Sequence, residues 1–184
     1  MNSYPLSLSG LVRDLPIIPI NDELSIASFV ILGDTELISH VSPQIAEKLP
    51  SIDYLITAEA KGIPLAYEVS KQLNMKDFIV ARKSVKPYMS SPLVNEVVSI
   101  TTQKKQLLCL DGKDAEKIKG KKIAIIDDVI STGDSLLALE ELVTKAGGNV
   151  VAKAAILAEG NAAEREDIIF LGKLPLFLNK NSSK

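Results

Sequence analysis

The residues with the clearest chemical potential lie in one run, Ile123-Ala-Ile-Ile-Asp-Asp-Val-Ile-Ser-Thr-Gly-Asp-Ser135. Four apolar residues lead into two adjacent carboxylates, Asp127 and Asp128. A short loop of hydroxyls and glycine follows, and it opens an apolar-striped segment. Such a loop binds an anion. Backbone N–H groups from Thr132 to Ser135 point outward at a helix start, and the helix dipole favours negative charge there. Gly133 permits close approach and unusual backbone angles. The hydroxyls of Ser131, Thr132 and Ser135 add donors, and Asp134 stands in the same turn. Two carboxylates beside an anion site look misplaced until a sugar is considered. They accept hydrogen bonds from hydroxyls, and they stabilise the positive charge that grows on a sugar ring during glycosyl transfer. That benefit is larger in the transition state than in the ground state, which is what accelerates a reaction. The pattern suits a sugar phosphate.

The elements that must hold this run are legible on either side of it. Leu37, Val41, Ile45 and Leu49 recur at helical spacing behind an Asp34-Thr35 cap, and Pro50 ends that helix. Tyr54–Ala58 reads as a short strand. Gly62 and Pro64 open a helix striped by Leu65, Val69 and Leu73. Phe78–Ala81 is the next strand, 84–95 reads as an irregular loop, and Val97–Ile100 with Leu107–Leu110 reads as a hairpin. Lys113 to Lys122 reads as a solvated turn of mixed charge. Ile123–Ile126 does not alternate, as expected of a strand buried on both faces of a parallel sheet. Leu136, Leu139, Val143 and Ala146 mark a helix that Gly147-Gly148 ends, and Val150–Leu157 is a further strand. Strand and helix alternate, which predicts an α/β fold with a mostly parallel, Rossmann-like sheet and helices on both faces. Ligands of such sheets gather beyond the carboxyl ends of the strands, where the Asp pair is expected at an exposed strand end.

The chain has 184 residues, of which 46% are hydrophobic and 24% charged, enough for one domain over 1–184 with a core at about 34–172. Residues 1–33 and 173–184 fall outside that core and are expected to form a small cap over the site. A net charge of −2 argues against a nucleic-acid-binding face. The single cysteine, Cys109, excludes an internal disulfide and reads as a small apolar strand residue. The chain has no apolar run of membrane-spanning length, and a cytoplasmic protein without membrane partners is expected.

The 123–135 run resembles the phosphoribosyl pyrophosphate (PRPP) signature of the type I phosphoribosyltransferases. Thr57-Ala-Glu-Ala-Lys-Gly62 is similar to that family's pyrophosphate loop, and implies pyrophosphate contacts at Ala60, Lys61 and Gly62. Ala81-Arg-Lys-Ser-Val-Lys-Pro87 resembles the segment leading into the catalytic loop of the adenine-using members. There Arg82, Lys83 and Lys86 would neutralise the departing pyrophosphate while a closing loop excludes water. The resemblance implies a PRPP-dependent purine phosphoribosyltransferase of the family's fold, a homodimer, with Mg²⁺ bridging the diphosphate and the sugar. Asp127 and Asp128 would meet that ion indirectly, through ligand and water. Val129 and Ile130 would line the base, Glu159 would accept from its nitrogens, and Phe177 is a stacking candidate from the tail.

The chain departs from the pattern at three places. Val12-Arg-Asp-Leu-Pro-Ile-Ile-Pro19 is similar to the adenine branch's opening, yet the following Ser28-Phe-Val-Ile-Leu-Gly33 carries no arginine. Near the branch's loop glutamate stands Ser99, with Glu96 the nearest acid. Ser131 stands where hypoxanthine-guanine members have an acid. The base therefore stays open among adenine, xanthine, hypoxanthine and guanine, and so does the general acid. A PRPP-binding regulator without turnover and a pyrimidine or orotate enzyme remain alternatives.

Overall fold

A computed structural model of the chain describes residues 3–98 and 105–179. In chain order it runs β1 (Ser3–Leu8), β2 (Leu11–Pro19), β3 (Leu24–Ala27), α1 (Thr35–Lys48), β4 (Tyr54–Ala58), α2 (Ile63–Gln72), β5 (Ile79–Ala81), β6 (Leu93–Val98), β7 (Lys105–Leu110), α3 (Gly112–Ile118), β8 (Lys122–Ile130), α4 (Asp134–Lys145), β9 (Asn149–Glu159), a 3-10 turn (Gly160–Glu164), β10 (Gly172–Leu174) and β11 (Leu176–Leu178). No helix among the described residues is long and apolar enough to cross a membrane.

The central sheet has the order β10-β9-β8-β4-β5, and every pairing in it is parallel. β8 lies at its middle. Ile123, Ala124, Ile125 and Ile126 are fully buried there. Ala124 and Ile126 pack with Leu37, Val41 and Ile45 of α1 and Leu65 and Val69 of α2. Ile123 and Ile125 pack on the other face with Ile118 of α3 and Leu139, Leu142 and Val143 of α4. The unbroken apolar run is thus the mark of a strand with a core on each side. The chain steps from β4 out to β5, then returns to β8 on β4's other side. β4 and β8 are in register only from Tyr54↔Ile123 to Ile56↔Ile125, after which β8 continues against β9 as far as Ile130. The parting of β4 and β8 opens a crevice at their carboxyl ends, where such sheets hold ligands.

The terminal segments form the cap. β1, β2, β3 and β11 make an antiparallel sheet in that order, so the two ends of the chain meet through β3 and β11. Tyr4 and Phe177 pack edge to face at 6.0 Å, and Leu6, Leu8 and Leu15 join the core on the α1 and α2 side. Arg13 of β2 holds Asp34 through two hydrogen bonds of 2.7 and 2.9 Å, which ties the cap to the N-cap of α1.

Three local expectations change. Residues 112–118 form a capped helix rather than a turn, because the Asp111 side chain accepts from Lys113 N–H and starts it. The hairpin pairs Leu93–Val98 with Lys105–Leu110, so its first strand begins earlier and the irregular loop is shorter. β8 runs through the Asp pair to Ile130 instead of stopping at Ile126, because β9 is long enough to pair with it.

Gly62 sets the distance between α2 and the carboxyl ends of β4 and β8. A Cβ there would collide with the buried Thr57 Oγ1 and come within 3.3 Å of Asp127 Oδ1. Gly62→Ala is therefore expected to lower unfolding free energy by about 1–3 kcal/mol, the usual range for overpacking. Urea denaturation of the variant beside the unmodified chain checks it.

Candidate active site

A cavity of about 340 Å³ lies in the crevice. The carboxyl end of β8 contributes Asp127, Asp128 and Val129, the loop after it Ser131, and the start of α4 Ser135. β4 and its following turn contribute Ala58, Glu59, Ala60 and Lys61, and the turn after β5 contributes Lys83. The cap closes one side with Ile26, Ala27, Ser28, Phe29 and Val30, joined by Leu174 and Glu159. A smaller recess of about 60 Å³ shares Asp127, Val129, Ser131 and Ser135 with it and adds Ile130, Thr132 and Gly133.

The recess has the form expected of an anion loop. Gly133 takes a left-handed φ of +87° as the N-cap of α4, a backbone geometry that favours glycine. Thr132 Oγ1 accepts from Asp134 N–H at 3.4 Å. Asp134 occupies the first turn of α4 and lines neither cavity.

The Asp pair is more enclosed than the sequence implied. Asp128 is 4% exposed, which corrects the expectation of an exposed strand end. The cause is the length of β8, which carries the pair inside the sheet. Asp128 N–H donates to Asp127 Oδ1 at 2.8 Å, and Asp128 Oδ2 is buried with no hydrogen-bond partner among the described residues. Asp127 keeps some surface at the cavity wall. Burial, then the charge of Asp128, pushes its carboxyl up to about 7, while the Lys61 ammonium works in the opposite direction. Burial also raises Glu159 above the ordinary glutamate range, again opposed by Lys61.

Glu59 had no assigned role in the sequence, although it sits inside the pyrophosphate-loop string. In the structure it organises that side of the cavity. Its carboxylate accepts from Lys83 N–H at 2.6 Å and from Arg82 Nε at 2.6 Å. The Lys83 N–H, followed by Arg82, holds it below the usual range against the cost of burial. Arg82 Nη1 also donates to Tyr88 Oη at 2.5 Å. Arg82 is thus drawn to Glu59 and Tyr88 and does not line the cavity, whereas Lys83 does. Lys86 Nζ donates to Ser84 Oγ and lies outside the cavity lining. The Glu59–Ala60 peptide is cis. Gly62 stands behind the wall, against Thr57 and Asp127.

The base-side candidates divide. Val129 and Glu159 line the main cavity, and Ile130 lines the recess. Phe177 packs on Tyr4 and does not line the cavity. The aromatic side chain that does line it is Phe29. Nothing in the Ser28–Gly33 string but its aromatic residue could have pointed there. Glu96 is exposed on β6, outside the cavity, and Ser99 lies outside the described residues.

Comparison with known proteins agrees with this geometry. A family model described as "Phosphoribosyl transferase domain" matches residues 35–173. The chain is 34% identical over 151 residues to adenine phosphoribosyltransferase of Thermosipho africanus, covering 80% of this chain and 84% of that protein. It is 31% identical over 134 residues to hypoxanthine/guanine phosphoribosyltransferase of Methanothermococcus okinawensis, covering 72% of this chain and 69% of that protein. The crystal structure of adenine phosphoribosyltransferase from Thermoanaerobacter pseudethanolicus superposes with a TM-score of 0.70 at 22% identity, over 86% of this chain and 95% of that one, a likeness of fold. With a family model matching 35–173 and a relative 34% identical over 80% of the chain, the chain belongs to the phosphoribosyltransferase family.

Proposed function

We propose that this protein transfers the phosphoribosyl group of PRPP to a ring nitrogen of a free purine base. The bond formed joins that nitrogen to C1 of the ribose. The bond broken is C1–O to pyrophosphate, which leaves with the electron pair, and the product is a nucleoside monophosphate. The observation that carries the reading is the shared cavity. Its wall brings together a carboxylate pair, a glycine-bearing loop at a helix N-terminus, two turns that each carry a lysine, and an apolar side.

Each part has a task. The recess from Ser131 to Ser135 receives the 5′-phosphate through backbone N–H groups and hydroxyls. Asp127 and Asp128 accept from the ribose hydroxyls and face the positive charge that develops at C1. Ala60, Lys61 and Lys83 hold the pyrophosphate. Arg82 reaches it from beside Glu59 when the loop beyond Lys86 folds over. Phe29, Val129 and Leu174 offer a flat apolar slot for the base. Glu159, a half-buried acceptor in the same wall, takes a hydrogen bond from a ring or exocyclic N–H.

Among the described residues, no three Asp, Glu, His or Cys side chains gather as a metal cluster. The pair, with Asp128 Oδ2 buried and unpartnered, fits Mg²⁺ arriving with the diphosphate and completed by ligand and water oxygens. When bound, that ion neutralises diphosphate charge.

Two relatives named for different bases match this chain comparably. The base is therefore a matter for assay. Incubation with PRPP, Mg²⁺ and adenine, hypoxanthine, guanine or xanthine in turn should release pyrophosphate with at least one of them. Tight PRPP binding without release for any base would instead identify a PRPP-sensing protein. A second measurement addresses Glu159. Glu159→Gln keeps an acceptor oxygen and removes its charge, so it should raise KM for the base about fivefold, with KM for PRPP nearly unchanged. Equal effects on both would remove Glu159 from the base site.

A further inference from the structure

The run Asp127–Ser135 contains three aspartates and no lysine or arginine. A sugar phosphate seated there would bring further negative charge to an already acidic segment. The loop supplies N–H groups and a helix dipole, but any full positive charge must come from elsewhere in the fold.

Arg165 stands in position to supply it. It follows the 3-10 turn after β9, and its backbone N–H donates to Ala162 O at 3.1 Å. Its guanidinium is gripped from one side. Nε and Nη2 donate to the two carboxylate oxygens of Asp167 at 2.8 and 2.7 Å. Asp167 is also held by Lys153 Nζ at 2.9 Å, and Lys153 reaches Glu140 of α4 at 3.3 Å. Charge therefore links the body of α4, through β9, back to the N-cap of the same helix. There a Cβ built on Gly133 would lie 3.0 Å from Arg165 Nη1. The two bonds to Asp167 use Nε and Nη2, and Nη1 is the guanidinium nitrogen on the Gly133 side. Arg165 then Lys153 hold the Asp167 carboxyl well below the usual carboxylate range, so the grip stays ionised at neutral pH.

We propose that Arg165 is the cationic partner of the phosphomonoester, clamped by Asp167 so that its Nη1 supplies positive charge to the anion loop across Gly133. This rests on the reading that PRPP is the ligand. The geometry gives a reason for glycine at position 133 beyond its backbone angle, because a side chain there would push the guanidinium away. It also explains how an acidic loop accepts a dianion. The clamp matters because a fixed guanidinium needs no ordering when the ligand arrives.

Arg165→Met keeps the length and apolar packing of the side chain and removes its charge. Arg165→Lys keeps the charge. Ribose 5-phosphate and inorganic pyrophosphate probe the two ends of the site separately, by titration calorimetry. The Met variant should bind ribose 5-phosphate on the order of tenfold more weakly and pyrophosphate as before. In turnover it should raise KM for PRPP and leave kcat nearly intact. The Lys variant should recover part of the loss. Met-variant affinity for ribose 5-phosphate equal to that of the unmodified chain would overturn the proposal, as would equal weakening of both probes. If the unmodified chain binds neither PRPP nor ribose 5-phosphate, the transferase reading itself fails, and this inference with it.

Discussion

Two adjacent carboxylates near the carboxyl end of the central strand, Asp128 buried and Asp127 at the cavity wall, are the constraint around which the rest of the molecule is arranged. Water would solvate such a pair well, whereas a sheet interior penalises it twice, through burial and through mutual repulsion. The chain accommodates it at the point where β8 outruns β4. There the pair has β9 on one side and a crevice on the other. Asp127 responds by holding its proton to about 7. An unfolded aspartate ionises near 4, so between roughly pH 4 and pH 7 the unfolded chain loses a proton that the folded chain keeps. The pair thus costs stability as pH rises through that window. That cost fits a site whose proper partners are ligand hydroxyls and a cation.

The other charges follow from this. Lys61 faces both Asp127 and Glu159 and opposes the raised pKa of each. Glu59 gathers Arg82 and the backbone of Lys83 at the pyrophosphate side, and Asp167 grips Arg165 beside Gly133. In the last two cases an acid outside the pair fixes a cation or a donor at the edge of the crevice. The chain carries a net charge of −2 and still places Lys61 and Lys83 in the cavity wall and Arg165 beside Gly133, because position rather than number decides the local field.

Much of the fold was legible because its signals are local. The apolar run before Asp127, the glycines around α4 and the stripes of α1 and α2 each identify an element within about a dozen residues. The left-handed Gly133 turn that opens α4 was legible for the same reason. What escaped depends on contacts between distant segments. Whether β8 stops at Ile126 or continues to Ile130 is decided by β9, so the burial of Asp128 could not be read from its own neighbours. Glu59 was visible inside a quoted string, but its pairing with Arg82 spans the β4–β5 connection. Phe29 lies in an apolar stretch with no period, and only its place after β3 brings it to the cavity. Arg165 lies in a charge-mixed turn indistinguishable by composition from the solvated ones.

The central claim is that PRPP lands on the Asp pair with Asp127 ionised. Calorimetric titration of PRPP with Mg²⁺, in buffers of different ionisation enthalpy, measures it directly as protons released on binding. At about pH 6.5 ligand-free Asp127 still holds its proton and must give it up, so the unmodified chain should release more protons than Asp127→Asn does. The difference should fade by about pH 8.5, where the free carboxyl is already ionised. PRPP binding with the same proton count in both proteins at both pH values would contradict the account.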